Sequence, residues 1–188
     1  RAVTAGDEIE FMYRHGEIFE ILPREVAQGR IPVRTTHNDT KINNVLIDDE
    51  TGEGICVIDL DTLMPGLAPY DFGDMVRTST CRAAEDEQDL SKVSLDLQMF
   101  EQLAQGYLSE AGQFLTDAEK QHLITGGKMI TLIIGCRFLT DYLKGDVYFK
   151  VHREGHNLDR ARTQFRLVES ILEQEEQMQA IVNRIDSR

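Results

Sequence analysis

The chain has 188 residues, of which 41% are apolar and 28% charged, and a net charge of −13. That balance suits a soluble globular unit with one real core. The acidic surplus argues against nucleic acid or an anionic membrane as partner, since both need a basic footprint, yet leaves an anionic substrate open where a metal ion offsets the acids locally.

The first residue is Arg1, and the opening residues form neither a signal sequence nor a transit peptide. This reads as a piece of a longer polypeptide. Residues 6–22 carry Phe11, Ile18, Ile21 and Leu22 at helical spacing, and Pro23 is expected to close that helix. Two short β-branched runs follow, "NNVLID" at 43–48 and "GICVID" at 54–59, joined by the turn-rich "DETGE". They predict a hairpin, the only strand signal in the chain. From 90 to 108, Leu90, Val93, Leu97, Phe100, Ala104 and Tyr107 recur at spacings of three and four, which predicts a helix ended by Gly112. Thr116 and Glu119 carry a capping-box signature for the next helix. Residues 128–144 are apolar on most faces, predicting a buried central helix stopped at Gly145. The longest apolar run, residues 129–134, is broken by Thr131 and falls short of a membrane span. Asn157 is the expected N-cap of a last amphipathic helix. Cys56, Cys81 and Cys136 show no CxxC or Cys/His pairing, so they read as buried, reduced thiols of a cytoplasmic protein.

Residues 35–48, "TTHNDTKINNVLID", crowd polar groups against the mouth of the hairpin. His37-Asn38-Asp39, four residues, then Asn44 fits the H-x-D-x-x-x-x-N catalytic loop of kinase-like phosphotransferases. The pattern alone is common by chance. It gains weight from Asp59, which lies fifteen residues beyond Asn44 at the far end of the hairpin. Phosphoryl transfer needs positioning and charge neutralisation more than covalent chemistry. Asp39 can accept the proton of an attacking hydroxyl, while Asn44 and Asp59 offer hard oxygens for Mg2+ on the phosphates of ATP. The hairpin between them brings its two ends together. A literal "DFG" at residues 71–73 lies beyond the "MPGLAP" turn and is not the metal motif. Asp71 or Asp74 is instead expected to accept backbone N–H bonds from the catalytic loop or to cap a helix. Lys41 is either a ligand of the transferred phosphate or a solvated lysine. Asp61 either binds a second metal or shapes the site, His37 organises the loop, and the acidic residues 84–89 form a solvated helix start.

At these residues the chain resembles the aminoglycoside phosphotransferase and choline kinase superfamily. The strings "THNDTKINNVLID", "VIDLDTLMPGLAPYDFGDMVR", "AAEDEQDLSKVSLDL" and "RFLTDYLKGDVYFK" are similar to those of N-acetylhexosamine 1-kinases, from about residue 35 to about residue 166. The resemblance implies ATP- and Mg2+-dependent phosphorylation of the anomeric hydroxyl of an N-acetylhexosamine. It also implies that residues 1–188 are the mainly α C-terminal lobe, with a small β-hairpin, of a two-lobed kinase-like fold. A nucleotide-binding N-terminal lobe would then be a partner from the same polypeptide. Asp39 matches the catalytic base, Asn44 and Asp59 the metal ligands, and Arg137 and Tyr148 the sugar contacts. From the residues alone, Arg137 could instead pair with Asp141 at i+4, and Tyr148 could be core. A choline, homoserine or aminoglycoside kinase is the alternative enzyme, and a non-catalytic binding module the alternative outside enzymology.

Overall fold

The computed structural model describes residues 1–187. A helical body carries a small β platform. In chain order the elements are α1 (Gly6–Arg14), α2 (Ile18–Ala27), β1 (Arg34–Thr36), β2 (Val45–Ile47), β3 (Gly54–Val57), β4 (Met64–Gly66), α3 (Ala68–Ser79), α4 (Leu97–Ala111), α5 (Asp117–Gln121), α6 (Leu123–Lys144) and α7 (His156–Asp186). The architecture is mainly α with little β, as the sequence implies.

The body is organised around α6, which packs along both α3 and α7. On its α3 side the backbones meet: a Cβ on Gly126 would collide with the Pro69 carbonyl, and one on Gly73 with the Gly126 carbonyl. Small residues are what permit such an approach. Around this axis lie two apolar groups. One gathers Phe72, Phe100, Leu123, Ile124, Leu167 and Ile171, and the other Leu22, Ile31, Leu132, Phe165 and Val168. Both draw on α6 and α7, so the two longest helices tie the halves into one core. By length and composition α6 could cross a membrane, more so than its broken apolar run suggested; in the fold 67% of its most apolar window is buried.

The platform is two antiparallel pairs. β2 pairs with β3, with an irregularity between Leu46 and Ile47, and β1 pairs with β4, Thr35 opposite Pro65. The second pair was not foreseen. Its strands have three residues each, and "MPG" carries no β signal.

Several boundaries differ from the expected ones, each for a local reason. The single helix over 6–22 is two, broken around Gly16, and Pro23 sits inside α2 rather than closing it. Burial of Ile18 and Leu22 holds that helix across the missing N–H. Residues 90–95 are a short 3-10 turn and an extended strap; Val93 and Leu95 are buried from it. The helix proper starts after Asp96, whose carboxylate accepts from the N–H groups of Gln98 and Met99 at 2.9 and 3.1 Å. The capping box at Thr116 and Glu119 forms. Asn157 does not cap α7: Gly155 precedes the helix with φ 73°, and the buried Asn157 amide donates to Asp141 and Asp146 at 2.9 and 3.0 Å. Cys56 is exposed on β3, while Cys81 and Cys136 are half-buried, so the three thiols are free but not all buried.

Candidate active site

β1 ends at Thr36 and the chain turns sharply at Asn38, whose φ is 64°. Asn tolerates this left-handed region because its short amide can bond locally. Here it donates to the carbonyls of Thr36 and Thr62 at 3.2 and 3.0 Å. The turn is fixed a second time by Asp71, from the first turn of α3. Its two carboxylate oxygens each accept one backbone N–H, from His37 and Asn38, both at 2.8 Å. Asp71 is thus engaged with the loop backbone. Asp74, one turn further on, is buried and bonded to Arg77 at 2.9 Å. His37 crosses to the hairpin side, its Nε2 being 3.1 Å from the Ile58 carbonyl.

The loop presents Asp39, half-buried. Its Oδ2 receives Lys41 Nζ at 2.6 Å and Asn44 Nδ2 at 2.9 Å, and its carbonyl takes a second bond from Asn44 Nδ2 at 2.8 Å. Burial alone would raise the Asp39 pKa, but the hydrogen bonds from Lys41 and Asn44 outweigh it and hold the carboxyl below the usual aspartate range. The Lys41 ammonium is raised in turn, chiefly by its bond to Asp39.

Asn44 and Asp59 meet through the hairpin. Val45 pairs with Val57, and the Ile58 N–H donates to the Asn44 carbonyl at 2.9 Å. Asp59 follows at once, with φ 63° and an exposed carboxylate. Lys41 Nζ lies 3.9 Å from it, so one lysine stands between both acids. The Asp59 carboxyl is raised first by a hydrogen bond with the Asp61 carboxyl, then by desolvation and repulsion from Asp61. Two acids crowded in this way on an exposed turn favour a cation. Asn44 spends its amide nitrogen on Asp39, which leaves its Oδ1 without a donor among the described residues. Those oxygens fit Mg2+, which keeps waters and substrate phosphates in its shell and needs few protein ligands. No cluster of three His, Cys, Asp or Glu that could hold a metal unaided occurs among the described residues.

Arg137 and Tyr148 come together at one rim. Arg137 Nη2 lies 3.4 Å from the Tyr148 hydroxyl, and its guanidinium stands 5.6 Å from the Tyr148 ring and 5.4 Å from the Phe149 ring. Neither bland alternative holds. Tyr148 is 72% exposed, so it is not core. Asp141 is not a partner for Arg137: its oxygens accept the N–H groups of Val147, Tyr148 and Phe149 at 2.8–2.9 Å and so shape the loop after α6. Among the described residues the Arg137 side chain hydrogen-bonds only to the Tyr148 hydroxyl.

Sequence reasoning missed the walls around Asp39. A cavity of about 300 Å³ joins Asp39 and Lys41 to Arg77, Glu85, Phe138, Phe149, Lys150 and Arg160. Phe149 also lines the cavity of Arg137 and Tyr148, so the two cavities share that residue. A second cavity of about 320 Å³ shares Lys41, Arg77 and Glu85 and runs on to Gln164 of α7. Arg77, Glu85, Phe138, Phe149 and Lys150 lie in the strings that carry the family resemblance, but neither the loop motif nor the resemblance gave them a role. The only hint was charge on otherwise core-forming helices, as at Arg160 in α7.

A model of the Phosphotransferase enzyme family (APH) matches residues 6–106. The match takes in Asp39, Lys41, Asn44, Asp59 and Asp71, and ends before Arg137 and Tyr148.

Proposed function

The chain belongs to the phosphotransferase enzyme family, and from that premise we propose that it catalyses ATP-dependent phosphoryl transfer to the anomeric hydroxyl of an N-acetylhexosamine, with Asp39 as the base. The observation that carries this reading is the Asp39 carboxylate itself, held by Asn44 and Lys41 at the hairpin mouth beside Asp59. The acceptor hydroxyl donates to Asp39. Its oxygen forms the new bond to the γ-phosphorus as the bond to the leaving ADP oxygen breaks, and its proton passes to Asp39. A carboxylate held below its usual pKa is a weak base. That suits a loose transition state, where the hydroxyl must be oriented first and loses its proton late. Mg2+, when bound, neutralises charge on the transferring phosphates; Asn44 and Asp59 would hold it, with Asp61 in support. Lys41, within reach of both acids, is suited to the transferred phosphate. Asp71 and His37 keep the loop in shape.

Charge supports this choice of acceptor class beside the resemblance. The cavity at Asp39 sets Lys41, Arg77, Lys150 and Arg160 against Asp39 and Glu85. Such a lining disfavours choline or an aminoglycoside, although the chain as a whole is acidic. Arg137 and Tyr148, exposed beside Phe149, are the proposed rim contacts for the sugar. The nucleotide side is proposed to come from a further lobe of the same polypeptide. In support, Leu46, Ile47, Ile55, Val57 and Leu60 of the platform stand 48–64% exposed, an apolar surface of the kind that marks an interaction site. Incubation of the intact enzyme with ATP, Mg2+ and a panel of N-acetylhexosamines, hexoses, choline and homoserine tests the reading. Sugar 1-phosphate is the expected product, and phosphorylation confined to choline or homoserine refutes it.

A further inference from the structure

The cavity behind Asp39 contains a group that the mechanism leaves unused. Gln164 is 3% exposed and lines the 320 Å³ cavity beside Lys41 and Arg77. Its Oε1 is buried without a partner. Nor does its Nε2 appear in any hydrogen bond to a described residue. Buried side-chain amides are normally satisfied, and leaving one unpaired costs about 1–3 kcal/mol. Beside this amide, Cys81, Ala83, Ala84 and Leu167 form a small apolar wall. The nearby charges are already committed: Arg77 bonds to Asp74 at 2.9 Å and to Glu85 at 3.4 Å, and Arg160 faces Glu85 at 3.5 Å. What is free to recognise a ligand is therefore neutral: the buried Gln164 amide, offering one donor and one acceptor, and the exposed amide of Asn43, with an apolar surface next to them.

We propose that this cavity is the specificity subsite for a neutral amide substituent of the acceptor, with Gln164 reading its N–H and C=O and the Cys81–Leu167 wall receiving its methyl. An acetamido group has that chemistry: one donor, one acceptor and a methyl. The inference rests on the phosphotransferase reading of Asp39, since the two cavities share Lys41, Arg77 and Glu85. It goes further in assigning discrimination to a residue outside the catalytic loop. A site that hydrogen-bonds a substituent rejects the analogue lacking it, because its own polar atoms are then left unpaired.

The test compares N-acetylglucosamine with glucose as acceptors for the wild type and for Q164L, in the intact enzyme. The wild type is expected to favour the acetamido sugar in kcat/KM by roughly ten- to a hundredfold. Q164L keeps the volume and removes both polar atoms. It is expected to abolish that preference through a higher acceptor KM, to leave KM for ATP unchanged, and to melt at the same or a higher temperature, because an orphaned buried amide is gone. A Q164L enzyme that keeps the wild-type preference overturns the subsite. So does a wild type without preference. Failure of the underlying reading looks different: neither sugar is phosphorylated, while choline or homoserine is.

Discussion

The helical body and the β platform use the same kinds of residue to opposite ends. In the body, leucine, isoleucine and phenylalanine are buried: Phe72, Phe100, Leu132 and Ile171 have no solvent contact. On the platform, Ile42, Leu46, Ile55, Val57 and Leu63 are 47–64% exposed. A two-stranded hairpin is marginal by itself. Here it is held by polar ties: Thr62 Oγ1 to the His37 carbonyl at 2.7 Å, Asn38 to Thr62, and the Ile58 N–H to Asn44. The body gains stability from burial, while the platform gains geometry from hydrogen bonds. Apolar content therefore tells which segments form elements, and not which of them are covered.

The largest effects are expected on the platform and in rate alone. Asp39→Asn in the intact enzyme should lower kcat by on the order of 10²–10⁴ with little change in melting temperature. Asp59→Ala should remove Mg2+-dependent turnover. A collapse of the fold in either variant would break the contrast, because it would mean that the platform's acids also carry stability.

How far the sequence reaches divides along the same line. Asp39, Asn44 and Asp59 were legible because a loop motif and a hairpin are local: fixed spacings of four and fifteen residues bring them together. From its place after the turn, Asp71 or Asp74 was expected to bind the loop or cap a helix; it is Asp71 that accepts the loop N–H groups. Arg77, Glu85, Arg160 and Gln164 were not, because they converge through the packing of α3 and α7 against α6, and no short-range pattern records that packing. Tyr148 was ambiguous for the opposite reason. An aromatic beside an apolar helix looks like core until Asp141 is seen to draw the loop backbone inward and leave the ring outside. The false continuity of helix 90–108 has a similar origin: Val93 and Leu95 are buried from an extended strap at spacings that mimic a helical face.

In the body the cost should fall on stability. Phe72→Ala empties a fully buried aromatic site next to Phe100 and Tyr107 and should cost about 3–5 kcal/mol, read as a shift in the denaturation midpoint. Arg34 joins the two regions: its guanidinium bonds the buried Glu119 carboxylate at 2.6 and 2.8 Å. Arg34→Met leaves that carboxylate buried without its cation, its remaining partner being the Thr116 N–H at 2.8 Å, and is expected to cost about 3–5 kcal/mol. Asp71→Ala withdraws the acceptor of two loop N–H groups. A loss of about 1–3 kcal/mol is expected, together with slower turnover, while Mg2+ affinity is kept. Loss of metal binding with stability intact would instead make Asp71 the ligand and Asp59 the support.

The smallest expected effect is the sharpest test of the comparison. Leu46 and Ile55 lie on paired strands, yet they are 48% and 64% exposed. If burial is what makes an apolar side chain matter, Leu46→Ser and Ile55→Ser should each change the stability of residues 1–188 by less than about 0.5 kcal/mol. The same change at a buried leucine of the body should cost several-fold more. If the platform is covered in the intact enzyme, as the proposed second lobe requires, both variants should destabilise the intact protein, or raise KM for ATP, although they are silent in the isolated chain. Thermal denaturation of both forms, with KM measured on the intact one, separates the possibilities. Silence in both forms would leave these residues as ordinary exposed hydrophobics and remove the apolar platform as support for a covering lobe.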